Sequence, residues 1–313
     1  MRTTSRKRAT GGAKHPTGVF SVACSLMVLL VTVGLGVWTG TGSAQAAGST
    51  PACGKGVLYK PNGIAWHCTF DDEFSKHSLD TTKWTAMDTA TTAFDAGIEC
   101  DSPNNVNTNG HDLVLSATRH RTALPCGREP DNRYRSGMVT TLNTFSQTYG
   151  RFEVRAKLPK GIGMHPAFWM LPVNPSHSNS YEYGEMDVFE AYADYPDMAS
   201  PHLHYVTTPG QPLGGVNCTL DSAISDWHTY AVQWTSTQMS FIYDGTTCWT
   251  TSWQPLPPYA PSGSNSPVPF DQPFYILLAL AVDGTDANNG KNAVQANTKF
   301  PEKMLVDYVR AWS

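Results

Sequence analysis

YGRFEVRAKLP, from Tyr149 to Pro159, alternates apolar and charged side chains. Phe152, Val154, Ala156 and Leu158 fall on one side, and Arg151, Glu153, Arg155 and Lys157 on the other. A period of two sets one face of a strand against a core and leaves the other in water. Similar runs are DLVLSAT (Asp112–Thr118), HTYAVQWTS (His228–Ser236) and MSFIYDG (Met239–Gly245). A short polar turn joins the last two, and the closing Asp244-Gly245 is a strong hairpin signal. FYILLALAV (Phe274–Val282) is apolar throughout and reads as a strand covered on both faces, and MLVDYVRAW (Met304–Trp312) as a further strand. No amphipathic helix of more than about three turns is legible. The Pro-, Ser- and Asn-rich connections Asn174–Ser180 and Pro255–Pro267 read as surface loops. These patterns predict an all-β chain: two antiparallel sheets of a dozen or more strands in all, packed as a curved β-jelly-roll sandwich.

The start of the chain is of a different kind. Arg2, Arg6, Lys7, Arg8 and Lys14 precede an apolar run at residues 19–37, and SAQAA (Ser43–Ala47) offers a small-residue cleavage site. That layout predicts a secretory signal peptide over residues 1–47 and a single domain over 48–313. An uncleaved membrane anchor is the competing reading, and the Ala-Gln-Ala site argues against it. Without the leader, 17 Lys and Arg face 26 Asp and Glu, a net charge near −9. This balance disfavours nucleic acid or an anionic membrane as partner and suits an exported monomer acting on a neutral polymer. Cys24 leaves with the leader, so six of the seven cysteines remain. An even number in an exported chain predicts disulfides. Fifteen pairings are possible, and neighbour pairing (53–68, 100–126, 218–248) is the expectation because each closes a local loop or hairpin. No cysteine or histidine cluster has zinc spacing.

YGEMDVFEAY, from Tyr183 to Tyr192, carries Glu185, Asp187 and Glu190 among residues that ask for burial. On a straight strand Glu185 and Asp187 share a face, but Glu190 points into the core with Met186 and Val188. A charge buried there is costly. One extra residue, a β-bulge near Val188-Phe189, brings all three acids to one face. A helix spreads them over more than a third of its wheel, and Gly184 disfavours it. Two carboxylates about 5–5.5 Å apart are what retaining glycoside hydrolysis requires, one as nucleophile and one as acid then base. Crowded like charges also push one acid up in pKa, which keeps a proton donor near neutral pH. A three-acid calcium site and a solvated acidic strand edge are the competing readings.

GEMDVFE matches the E-x-D-x-x-E signature of glycoside hydrolase family 16, in the bulged form of bacterial laminarinase-like endo-β-1,3-glucanases. DDEFSKHSLDTTKW (Asp71–Trp84), NNVNTNGHDLVLSA (Asn104–Ala117), SGMVTT, HPAFWMLP and FPEKMLVDYVRAW resemble further segments of that family, in order, over about residues 60–313. The resemblance implies an open cleft, with Glu185 as nucleophile, Asp187 as its helper, Glu190 as acid/base, and His204 pointing into the cleft. It implies sugar contacts at Trp169 and at His165, and no cofactor for catalysis. It also implies a structural calcium bound through backbone oxygens of Glu73 and Gly110 and through backbone and side chain of Asp307, a residue that interrupts its apolar strand.

The sequence departs from the family's pattern at His165, in place of the first aromatic of W-P-A-F-W, and at Met138, in place of an Arg. Ala279 and Asp283 replace an amide and a Gly. These changes are expected to lie in sugar subsites and to leave the three acids untouched. The most economical reading is a secreted retaining endo-β-glycosidase acting on a β-1,3-glucan. A galactan or another β-glucan, transglycosylation, and a non-catalytic carbohydrate-binding sandwich are the alternatives.

Overall fold

Gly150–Lys157 is a strand in which Phe152, Val154 and Ala156 are fully buried, while Glu153, Arg155 and Lys157 reach its other face. The computed structural model describes residues 52–127, 129–174, 184–205, 214–253, 267–284 and 291–313. The leader and most of the two long loops named above lie outside the described residues.

Eighteen strands are present among the described residues. One sheet holds β1 (Cys68–Asp72), β3 (Cys100–Asp101), β4 (Val106–Thr108), β5 (Leu113–Cys126), β6 (Glu129–Ser136), β8 (Gly150–Lys157), β14 (Trp227–Trp234), β15 (Met239–Tyr243), β16 (Thr246–Thr251) and β18 (Glu302–Trp312). The other holds β2 (Thr85–Ala86), β7 (Met138–Thr140), β9 (Met164–Pro172), β10 (Glu185–Glu190), β11 (Met198–His204), β12 (Gly214–Gly215), β13 (Cys218–Thr219) and β17 (Phe274–Val282). Every pairing is antiparallel except the short β3–β6 contact. The sheets stack as a jelly-roll sandwich. Among the described residues helix is confined to the turn α1 (Thr89–Thr92) and a 3₁₀ turn at Pro103–Asn105.

Between the sheets Phe152, Val154, Phe168, Met186, Phe189, Tyr230, Phe241, Ile276 and Leu278 form one continuous core. The all-apolar β17 is covered on both faces, as expected. Its even-numbered residues enter this core, while Leu277 and Ala279 pack with Met138, Trp169 and Leu171 on the opposite side. The β15–β16 hairpin turns at Asp244 (φ 49°) and Gly245 (φ 79°), the two positive dihedrals that Asp-Gly supplies most readily. The three disulfides are the neighbour pairs Cys53–Cys68, Cys100–Cys126 and Cys218–Cys248, with Cα separations of 5.7, 6.0 and 5.9 Å. The last ties β13 to β16 and so joins the two sheets.

Candidate active site

Gly184 opens the strand that matters most. Its φ is +86°, and a Cβ there would stand 2.9 Å from Pro269, so only glycine fits. From it β10 runs in register with β11, pairing Glu185 with His204, Met186 with Leu203 and Asp187 with His202; the register then slips, and Glu190 meets Ser200. On its other side Asp187 pairs with Trp169, Phe189 with Phe168 and Glu190 with Ala167. Val188 is the extra residue, so the bulge falls at the expected place.

Cross-strand partners share a face, so the slip carries Glu190 round to join Glu185 and Asp187. Met186, Val188 and Phe189 are fully buried behind them. The bulge frees one ladder group, and the fold satisfies it from the opposite sheet: the buried Tyr243 hydroxyl donates to the Val188 carbonyl at 2.8 Å. Tyr243→Phe leaves that carbonyl buried without a partner. A loss of about 1–3 kcal/mol in unfolding free energy is expected, measured by denaturant melts against wild type.

All three acids line a cleft of about 300 Å³, together with Phe94, Asp95, His165 and Trp169. Asp187 stands between the two glutamates, with carboxylate oxygens within 4.8 Å of Glu185 on one side and of Glu190 on the other. His204 Nε2 lies 3.0 Å from Asp187 Oδ2, and His202 Nδ1 lies 2.6 Å from Glu190 Oε2. Both are close contacts that fall short of aligned hydrogen bonds. His165 Nε2 makes a hydrogen-bond contact with Glu190 Oε1 at 2.9 Å, and its Nδ1 with Asp283 Oδ1 at 3.2 Å. Each of the three imidazoles is thus matched to a carboxylate.

Charge in the cleft is distributed unevenly. Burial, then repulsion from Glu190, raises the Asp187 carboxyl above its ordinary range. Burial would lift Glu190 as well, but the hydrogen bond from His165 and the charge of His202 hold it well below the usual carboxylate range. Crowding thus adds to burial in raising Asp187, whereas at Glu190 two histidines outweigh the neighbouring acid. Burial opposes charge on His204, yet its Asp187 partner raises it to about 9.

Two further expectations are corrected. His165 lines the cleft but also touches Glu190, and Asp283 reaches that acid through His165, so these two departures do not leave the acids untouched. Pairing of β9 with β17 sets Ala281 opposite His165 and Val282 opposite Met164, which delivers Asp283 to the imidazole. Met138 and Ala279, by contrast, lie buried in the cleft floor. Trp169 is 9% exposed and stacks on Phe94 with centroids 6.0 Å apart, so it serves the cleft wall and the floor together. His202 was not singled out by the sequence reading. The spacing HLH on a strand could have marked it, since residues two apart share the cleft face.

The calcium residues lie elsewhere. The Glu73 carboxylate accepts from Arg310 at 2.7 and 2.9 Å, and Asp307 accepts from Arg155 at 2.6 Å. Asp307 breaks its apolar pattern because it is the bulge residue of β18, where the register slips between Val306 and Tyr308. Gly110, at φ +90°, packs against His77. Both side chains answer a guanidinium, so they do not fit a divalent cation, and any calcium there would rest on backbone oxygens.

A model of the glycosyl hydrolases family 16 matches residues 94–300, which include all three acids and the strands that hold them. The chain belongs to that family. It is 32% identical over 259 residues to a glucan endo-1,3-beta-glucosidase A1 of Niallia circulans, covering 78% of this chain and 37% of that protein. A beta-glucanase of Rhodothermus marinus is 34% identical over 213 residues, covering 66% of this chain and 70% of the relative. Among solved structures of the family fold, an endo-beta-1,3-glucanase from Pyrococcus furiosus superposes with a TM-score of 0.69 at 26% identity, covering 82% of this chain and 97% of that one.

Proposed function

We propose that this family-16 chain is a retaining endo-β-glycosidase that hydrolyses a neutral polysaccharide, with β-1,3-glucan as the substrate. The observation that carries this reading is the Val188 bulge, which brings Glu185 and Glu190 to one cleft face on either side of Asp187. Glu185 attacks the anomeric carbon and forms a glycosyl ester, while the leaving oxygen takes a proton from Glu190. Water then attacks the ester, Glu190 takes up its proton, and Glu185 departs. Asp187 and His204 form a pair beside Glu185, and Asp187 hydrogen-bonds the nucleophile and tunes it. Trp169 and Phe94 offer apolar surface to a sugar ring. The glucanase relatives support the substrate.

No cofactor takes part in this chemistry. A calcium held by the backbone oxygens of Glu73, Gly110 and Asp307 would act on stability alone, and a calcium-dependent melting temperature is its check. The protein acts as a secreted monomer: the three disulfides suit an oxidising compartment, and no helix among the described residues is long and apolar enough to cross a membrane.

The test is sugar release from a panel of β-1,3-glucan, mixed-linkage β-glucan and β-galactan, with products sized. Internal cleavage of the β-1,3-glucan is expected. Binding without release from any substrate would leave a carbohydrate-binding sandwich instead. Preference for the galactan would move the substrate and keep the chemistry. Asp187→Asn is expected to lower kcat on the preferred substrate, by less than Glu185→Gln does. An equal or larger loss would show that Asp187 does more than tune the nucleophile.

A further inference from the structure

Glu190 stands at the end of a chain of buried polar groups that a sugar subsite does not need. His165 bonds Glu190 Oε1 through Nε2 and Asp283 Oδ1 through Nδ1. Asp283 is 2% exposed, and its other oxygen, Oδ2, accepts from Asn292 Nδ2 at 2.9 Å. Asn292 is fully buried; it also donates to the Met164 carbonyl at 3.0 Å and accepts from the amides of Gly163 and Asp194 at 3.3 Å. Tyr192 stacks on the imidazole at 4.3 Å between centroids. Every link in Asn292–Asp283–His165 is thus fixed by its neighbour, and the chain ends on the carboxylate that exchanges protons with substrate.

We propose that His165 is a positioning residue for the proton of the reaction: with Asp283 behind it, His165 shares one proton with Glu190 and supplies it for departure of the leaving sugar. This rests on the hydrolase reading above. Asp283 accepts from Asn292 on Oδ2, and a carboxylate accepts on Oδ1 as well, so His165 Nδ1 carries the hydrogen of that bond. The remaining proton lies on the 2.9 Å line between Nε2 and Oε1, as imidazolium with carboxylate or as imidazole with carboxylic acid. In the first half-reaction it crosses from Nε2 to Oε1, and the acid turns it to the glycosidic oxygen. The bond from that oxygen to the anomeric carbon breaks as the bond from Glu185 forms. In the second half, water's oxygen bonds the anomeric carbon, the Glu185 ester breaks, and a water proton passes to Glu190 and back to His165. No other reactant is needed. An acceptor carboxylate that fixes the tautomer of a proton-handling imidazole is the same logic that orients catalytic histidines elsewhere.

The surroundings fit this role. Facing the pair are His202 and His204 of β11, Glu185 and Asp187 of β10, and Tyr192 just beyond it. Asp283 follows β17, and Asp95 and Glu99 precede β3. Burial opposes charge on His165, but its bonds to Asp283 and Glu190 raise it to about 10. Held this way, the pair keeps its proton far above the pH at which a carboxyl alone would lose it. That reconciles an ionised Glu190 at rest with a proton donor during turnover.

The test is the pH profile of kcat/KM for wild type, His165→Gln and Asp283→Asn on soluble β-1,3-glucan, with thermal melts to confirm folding. The wild-type alkaline limb should lie well above neutral, and His165→Gln should move it down by about two pH units or more. Asp283→Asn keeps the imidazole and its packing, and should move the limb the same way by less, so the proposal is tested even if His165→Gln folds poorly. On aryl oligoglucosides with a highly acidic leaving phenol, which departs without a proton, His165→Gln should cost less than about threefold, against about 10²-fold on the glucan. Unmoved limbs in both variants, or a loss independent of the leaving group, would overturn the shared-proton role and leave the hydrolase standing. A wild type that releases no sugar would overturn both.

Discussion

Glu185→Gln is expected to lower kcat on β-1,3-glucan by about 10⁵-fold while leaving the fold intact. Glu185 begins β10 in the cleft wall, half-buried, and its partner across the ladder is His204. The amide has the same shape and keeps the strand pairing, but its oxygen is a poor nucleophile and no glycosyl ester can form. The measurement is kcat by reducing-sugar release, with melting temperature as the control. Mass spectrometry of protein stopped with a slow, fluorinated glycoside adds a direct view: wild type gains one sugar mass and Glu185→Gln gains none. A variant that kept more than about one hundredth of wild-type kcat would move the nucleophile to another residue.

Glu190→Gln is expected to cost about 10²–10⁴-fold in kcat on the natural polymer, with the loss shrinking as the leaving group becomes more acidic. Glu190 is the hub of the cleft, touched by His165 on one oxygen and His202 on the other. The amide cannot give or accept the travelling proton. An anionic nucleophile such as azide needs no base to attack the glycosyl ester, so azide should restore turnover of activated substrates and yield a glycosyl azide with the original β configuration. Absence of rescue together with uniform loss across leaving groups would remove Glu190 from the acid/base role.

The sheets and the acid strand were legible because their signals are local. Tyr149–Pro159 shows its buried face by period two, and Asp244-Gly245 shows its turn by the dihedrals these residues tolerate. The bulge was legible because an unbulged strand buries Glu190 as a charge. What stayed hidden depends on distant pairing. His165 and Asp283 are 118 residues apart, and only the β9–β17 register brings them together. Tyr243 reaches Val188 from the opposite sheet, 55 residues away, with a hydroxyl that period-two reading assigns only to the core. Asp307 looked like a ligand because it interrupts an apolar strand, whereas it faces outward at a bulge and pairs with Arg155. His165 looked like a changed sugar contact because it stands in place of the first aromatic of W-P-A-F-W, and period two gives the face but not the partner.

The shared cleft face of Glu185 and Glu190 demands a definite stereochemical course. Proton NMR of the sugar released in the first minutes of β-1,3-glucan hydrolysis, before mutarotation, reads that course directly. Double displacement through Glu185 predicts that the newly formed reducing ends appear first as the β anomer, with the α anomer growing in later at the mutarotation rate. New ends that appear first as the α anomer would contradict it, since inversion requires water in place of the Glu185 carboxylate at the anomeric carbon.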